Sequence, residues 1–144
     1  MKRLLTALAL ILAPIAALAA DANIPSTAVI SASSGNVAAA TATATLPALP
    51  GRLNRLCTYQ VTSAGSTAAA VVTGTITGVV GGTISFTYTT VAGATLANLP
   101  LAVIFEPCLP ATAVNTAIVL SLPSLGAGNT NTTVTAQGFV TNFP

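Results

Sequence analysis

The sequence predicts an all-β chain, a single antiparallel β-sandwich of about eight strands preceded by a signal peptide, and three observations carry that expectation. The apolar period is two: Ile84, Phe86 and Tyr88 alternate with Ser85, Thr87 and Thr89, and Cys57, Tyr59 and Val61 alternate with Thr58, Gln60 and Thr62. Gly, Pro, Asn and Ser clusters cut the chain into short runs at regular spacing. Thr and Val fill those runs, and their β-branching stiffens χ1 and suits a pleated surface. The spacing fits a jelly-roll or an immunoglobulin-like order equally well.

From the N-terminus, Lys2 and Arg3 form a basic start, residues 4–18 an apolar run, and Ala17-Leu18-Ala19 a small-x-small cleavage site, the three parts of a secretory signal peptide. Pro14 interrupts the run, which falls short of the ~20 apolar residues that span a bilayer. The expected organisation is residues 1–20 as signal peptide, 21–49 as an Ala/Thr-rich N-terminal segment, and 50–144 as the sandwich core. Residues 28–32 and 37–46 are the first strand candidates; the second mixes helix-favouring alanines with Thr41, Thr43 and Thr45 and is read as a strand. This segment supplies the first two strands of the sandwich, an extended arm that adds a strand to a neighbouring subunit, or a plainly flexible stretch. Pro47-Ala48-Leu49-Pro50-Gly51 reads as a hinge.

Beyond the hinge, strands are expected around Cys57 to Val61 and at 69–77, 84–89, 101–105, 117–122 and 132–140. Turns are expected at Ser33-Ser34-Gly35-Asn36, Ser63-Ala64-Gly65-Ser66, Gly81-Gly82, Ala92-Gly93, 107–110 and Gly126-Ala127-Gly128-Asn129. The bulky core pieces are Phe86, Phe105, Phe139, Tyr59 and Tyr88, since the chain has no Trp. No second apolar run approaches spanning length without Thr, Ser, Gly or Pro in it.

Charge is the scarcest property. The formal net charge is +2, but Lys2 and Arg3 leave with the signal, so Arg52 and Arg55 stand against Asp21 and Glu106 and the mature side chains sum to zero. No basic footprint for a phosphate backbone remains, which excludes nucleic acid as a partner. With no His, neither a Ser-His-Asp nor a Cys-His nucleophile can be built. Two thiols and two carboxylates do not make a credible zinc or iron site, so no metal and no cofactor are expected. A glycosidase needs two carboxylates roughly 5–10 Å apart, and only Glu106 lies in the patterned region. Gly81-Gly82-Thr83 precedes a strand and reads as a hairpin turn, not a phosphate loop.

No catalytic, cofactor-binding or metal residue is therefore expected. Glu106 could act with Gln60 or Gln137 as an acid/base pair, but the simpler reading is a rim carboxylate, paired with Arg52 or Arg55 or solvated. Arg52 and Arg55 read as edge charges that discourage aggregation. Cys57 and Cys108 are the only cysteines, and in an exported chain they are the disulfide candidate, the alternative being two separately buried thiols. A bridge would join a strand to the loop leaving another and restrict the unfolded chain by roughly 4 kcal/mol. Asn131-Thr132-Thr133 matches the glycosylation pattern, which the bacterial look of the composition makes a chance match.

Over about residues 50–140, Phe105-Glu106-Pro107 before a Pro-flanked loop, Asn115-Thr116-Ala117-Ile118 opening a strand and Ala136-Gln137-Gly138-Phe139 near the end resemble small all-β structural proteins of phage and prophage virion regions. That resemblance implies a sandwich with an assembly role and no catalytic residues. The signal peptide points to an exported relative. Together the residues lead us to expect an exported, non-enzymatic structural or adhesive protein, periplasmic, cell-surface or extracellular. It would associate with itself or with another surface protein, because a neutral Thr/Ala surface offers little self-repulsion. The alternative is an extracellular binding module for a glycan or a small apolar ligand.

Overall fold

Alternation of β-branched and small residues becomes strand along most of the chain. The computed structural model describes residues 27–142; the expected signal peptide and Asp21 lie outside them. The strands are β1 (Thr27–Ser33), β2 (Ala42–Leu46), β3 (Arg52–Ser66), β4 (Ala70–Thr77), β5 (Ile84–Thr90), β6 (Gly93–Ala97), β7 (Leu101–Pro110), β8 (Ile118–Leu122) and β9 (Asn131–Asn142). Among the described residues every regular element is a strand, and all pairings are antiparallel. A five-stranded sheet runs β1-β9-β3, with β7 and β6 both on the far side of β3; a four-stranded sheet runs β2-β8-β4-β5.

One apolar cluster draws on both sheets. Leu46, Ile76, Ile118, Leu120 and Leu122 come from the four-stranded sheet, and Leu56, Tyr59, Val61, Val134 and Ala136 from the five-stranded one. Each fully buried Leu or Ile contributes about 2 kcal/mol of transfer free energy. Segment 27–46 supplies an edge strand to each sheet: β1 pairs with β9, and β2 with β8.

Several expected boundaries move, each for a physical reason. Only Ala42–Leu46 of the expected 37–46 strand is strand. The chain crosses between sheets just before it, with Ala39 at φ 50° and Val37 making a lone bridge to Thr132. Ser63 to Ser66, expected as a turn, stays inside β3: Gly65 at φ 73° forms a bulge, and β9 and β6 supply pairing on either side. Residues 107–110, also expected as a turn, continue β7; Pro107 and Pro110 are tolerated because β7 is an edge strand. Ala92-Gly93 introduces β6, which the sequence reading does not anticipate. β6 and β7 lie end to end on one side of β3, interrupted by residues 98–100.

β3 carries a second bulge at Cys57, where its register shifts against both neighbours between Leu56 and Thr58. Opposite Leu56, Gly138 of β9 has no room for a side chain: a Cβ there would overlap the Arg55 carbonyl. A small residue is needed because two backbones approach closely, whatever the φ angle. On the other sheet, the Phe86 ring covers Gly74, its cross-strand partner, and fills the space a side chain would take.

At the end of β3, buried Asn54 braces the corner. Its Nδ2 donates to the Pro47 and Thr116 carbonyls at 2.9 Å each, tying β3 to the segments that flank β2 and β8. Gly138→Ala is expected to lower stability by about 3 kcal/mol or more, because the rigid backbone of Arg55 cannot yield to the new methyl. Denaturant unfolding of the disulfide-intact protein, with an exposed loop substitution such as Gly35→Asn as control, measures it.

Candidate functional site

Cys57 and Cys108 form a disulfide, with S–S 2.03 Å and Cα–Cα 4.3 Å. The bridge lies within one sheet, between neighbouring strands β3 and β7, and not between a strand and a departing loop. Around it the β3–β7 register jumps from Leu56↔Leu109 to Thr58↔Ile104, so Cys57 alone faces the four residues Phe105, Glu106, Pro107 and Cys108. The pair therefore pins an excursion of the edge strand against the bulge in the central strand. The Glu106-Pro107 peptide within that excursion is cis. No cysteine is free to act as a nucleophile. A disulfide is consistent with an oxidising, exported environment.

The polar candidates fall on the outer face of the five-stranded sheet. Gln60 pairs across to Thr135 and Ala102, and Gln137 to Thr58 and Ser31. Both are exposed and line a shallow hollow of about 220 Å³ beside Ile104, which is 70% exposed. Glu106 is exposed on the β7 excursion and does not line that hollow. Among the described residues it has no hydrogen bond or ion pair, so the expected pairing with Arg52 or Arg55 is not formed and the solvated alternative holds. Among the described residues no three His, Cys, Asp or Glu side chains gather as a metal cluster. No helix there is long and apolar enough to cross a membrane, which leaves β-barrels unaddressed.

The most constrained polar group is one that sequence reasoning misses. Ser63 Oγ and Tyr88 OH are 2.9 Å apart, and Asn98 Nδ2 donates to Ser63 Oγ at 2.7 Å. Asn98 Oδ1 in turn accepts from the Val91 backbone N–H at 2.8 Å. Ser63, Tyr88 and Asn98 are all buried, so the network joins β3 of one sheet to β5 of the other through satisfied hydrogen bonds. Ser63 falls in an expected turn and Asn98 between two expected strands; nothing local marks either as buried. Beside this network, the Tyr59 ring packs on Phe86 and Phe105, with centroids 5.0 and 6.0 Å away.

Burial pushes the Tyr59 hydroxyl above its ordinary value of 10.0. The fold holds the neutral phenol, so this contribution to stability is fully present below pH 10.0 and is lost as pH rises from there through the folded-state value. Tyr59→Phe should flatten that alkaline decline, read as the denaturation midpoint on either side of pH 10.0. Replacing both cysteines, as Cys57→Ala with Cys108→Ala, should remove about 4 kcal/mol, given the separation of 51 residues. Guanidinium unfolding of the oxidised protein and the double variant measures the difference. No family model, no curated protein and no solved structure matches this chain.

Proposed function

We propose that this chain is an exported, non-enzymatic structural or adhesive β-sandwich, a self-associating subunit of a surface or extracellular assembly. The observation that carries the reading is two of the four sheet edges, which no described strand covers. β1 ends one sheet and β5 the other, and neither strand contains a charge or a proline. Soluble proteins usually blunt such edges with Lys, Pro or a covering segment, because unpaired N–H and C=O groups template strand addition. On β1, Val29 is 85% exposed and stands on the outer face beside this edge. The outer face of the four-stranded sheet adds Thr43, Thr45, Thr73, Thr77, Thr87 and Thr89, uncharged and exposed.

Taking β6 and β7 as one interrupted strand, the two sheets read first-eighth-third-sixth and second-seventh-fourth-fifth. That order supports a jelly-roll over an immunoglobulin-like topology, in which consecutive strands would be shared out differently. Jelly rolls serve widely in capsids and lectins. Among the described residues, catalysis finds little support in one solvated carboxylate, and nucleic acid little in two arginines. For the binding-module alternative, Tyr59 and Tyr88 are buried and Phe86, Phe105 and Phe139 half-buried, so no described aromatic ring offers a platform for a sugar.

Size-exclusion chromatography with light scattering on the mature protein should show oligomers that grow with concentration, and Val29→Lys should shift them toward monomer. A strict monomer at high concentration, with no filaments by electron microscopy, would overturn the proposal.

A further inference from the structure

A groove of about 620 Å³ runs between Leu53 and Arg55 of β3, Val80 of the β4–β5 turn, and the segment 110–114 that follows β7. Its walls are fixed by backbone bonds between these elements: Val80 N–H donates to Pro110 O at 2.9 Å, Ala111 N–H to Asn54 O at 2.8 Å, and Thr112 N–H to Gly78 O at 2.9 Å. Apart from Arg55 and Thr112 the lining is aliphatic, with Val80 57% exposed, and no aromatic ring contributes to it. Size, shape and apolar lining fall within the range of small-molecule sites.

Arg55 supplies the only charge. It is half-buried, between Phe139 of β9 and Pro110 of β7 in the sheet register, and has no hydrogen bond or ion pair among the described residues. Glu106, the one carboxylate among them, is likewise unpaired. A half-buried arginine lining an aliphatic groove calls for one planar anion, because its fork of donors matches a carboxylate in bidentate geometry.

We propose that this groove binds a single-chain aliphatic carboxylate of the fatty-acid class, with the head group on Arg55 and the chain along Leu53, Val80 and Val114. An aromatic ligand would find no ring to stack on, and a cationic amphiphile would meet Arg55 as a like charge. The inference rests on the binding-module reading and not on self-association, so its failure leaves the light-scattering result untouched.

Calorimetric titration of the mature protein with decanoate, decanol and decyltrimethylammonium, each below its micelle concentration, tests it. Decanoate should bind best and the cation worst. Arg55→Gln should weaken decanoate about tenfold and leave decanol unchanged, the loss expected for one charge-assisted contact. Arg55→Lys, which keeps the charge, should preserve the preference for decanoate over decanol and guards against a misfolded glutamine variant. Val80→Glu, at an exposed position, should weaken both ligands. Decanoate no tighter than decanol, or a glutamine variant with an unchanged fold and unchanged decanoate affinity, would overturn the assignment.

Discussion

Without the bulge at Cys57, every inward side chain of β3 beyond that residue would point at solvent. Asn54 and Leu56 face the core at even positions, whereas Tyr59, Val61 and Ser63 face it at odd ones; β9 keeps even positions inward from Thr132 to Val140. A single extra residue reconciles the two strands. The phase change places Tyr59 against Phe86 and Phe105, and Ser63 within reach of Tyr88 and Asn98. Gly138 allows the backbones to close around the bulge, and Cys57, the extra residue itself, is bonded to the edge strand. Sheet register, the polar inter-sheet link and the path of β7 all follow from this one insertion.

Because β3 carries β9 on one side and β6 with β7 on the other, its phase change between Leu56 and Thr58 shifts the register against both β9 and β7. The disulfide lies at that place. It bonds two residues of one sheet rather than stapling the two layers, so the layers are held by the shared apolar cluster and the Ser63-Tyr88-Asn98 bonds. Among the described residues neither link is ionic: the shared cluster is apolar and the inter-sheet bonds join neutral side chains.

The same scarcity of charge gives two features their meaning. Edge strands are commonly blunted by lysine or proline, and β1 and β5 carry neither, which is why the proposed assembly is argued from them. In a chain otherwise almost neutral, an arginine that is half-buried and unpaired stands out against its surroundings, and Arg55 does so beside an aliphatic groove. The two features occupy different parts of the molecule: β1 is two strands away from β3 on the five-stranded sheet.

What the sequence by itself determined is the all-β class, the strands expected at 28–32, 69–77, 84–89, 117–122 and 132–140, each of which overlaps an observed strand, and the turn at Gly81-Gly82, because period-two patterning and positive-φ glycines are local properties. The pairing of Cys57 with Cys108 was legible for a similar reason: a chain with two cysteines has one possible intramolecular bridge. Tertiary structure alone decided that β3 runs on through Ser63-Ala64-Gly65-Ser66, that β7 runs on through Pro107, and that Asn98 is buried. Turn-forming residues become strand when partners far along the chain satisfy their backbone: Ala64 pairs with Asn131 and Ala97, and Pro110 with Arg55. The groove at Arg55 was illegible for the same reason, since β3, the β4–β5 turn and segment 110–114 meet only once both sheets have closed over their core.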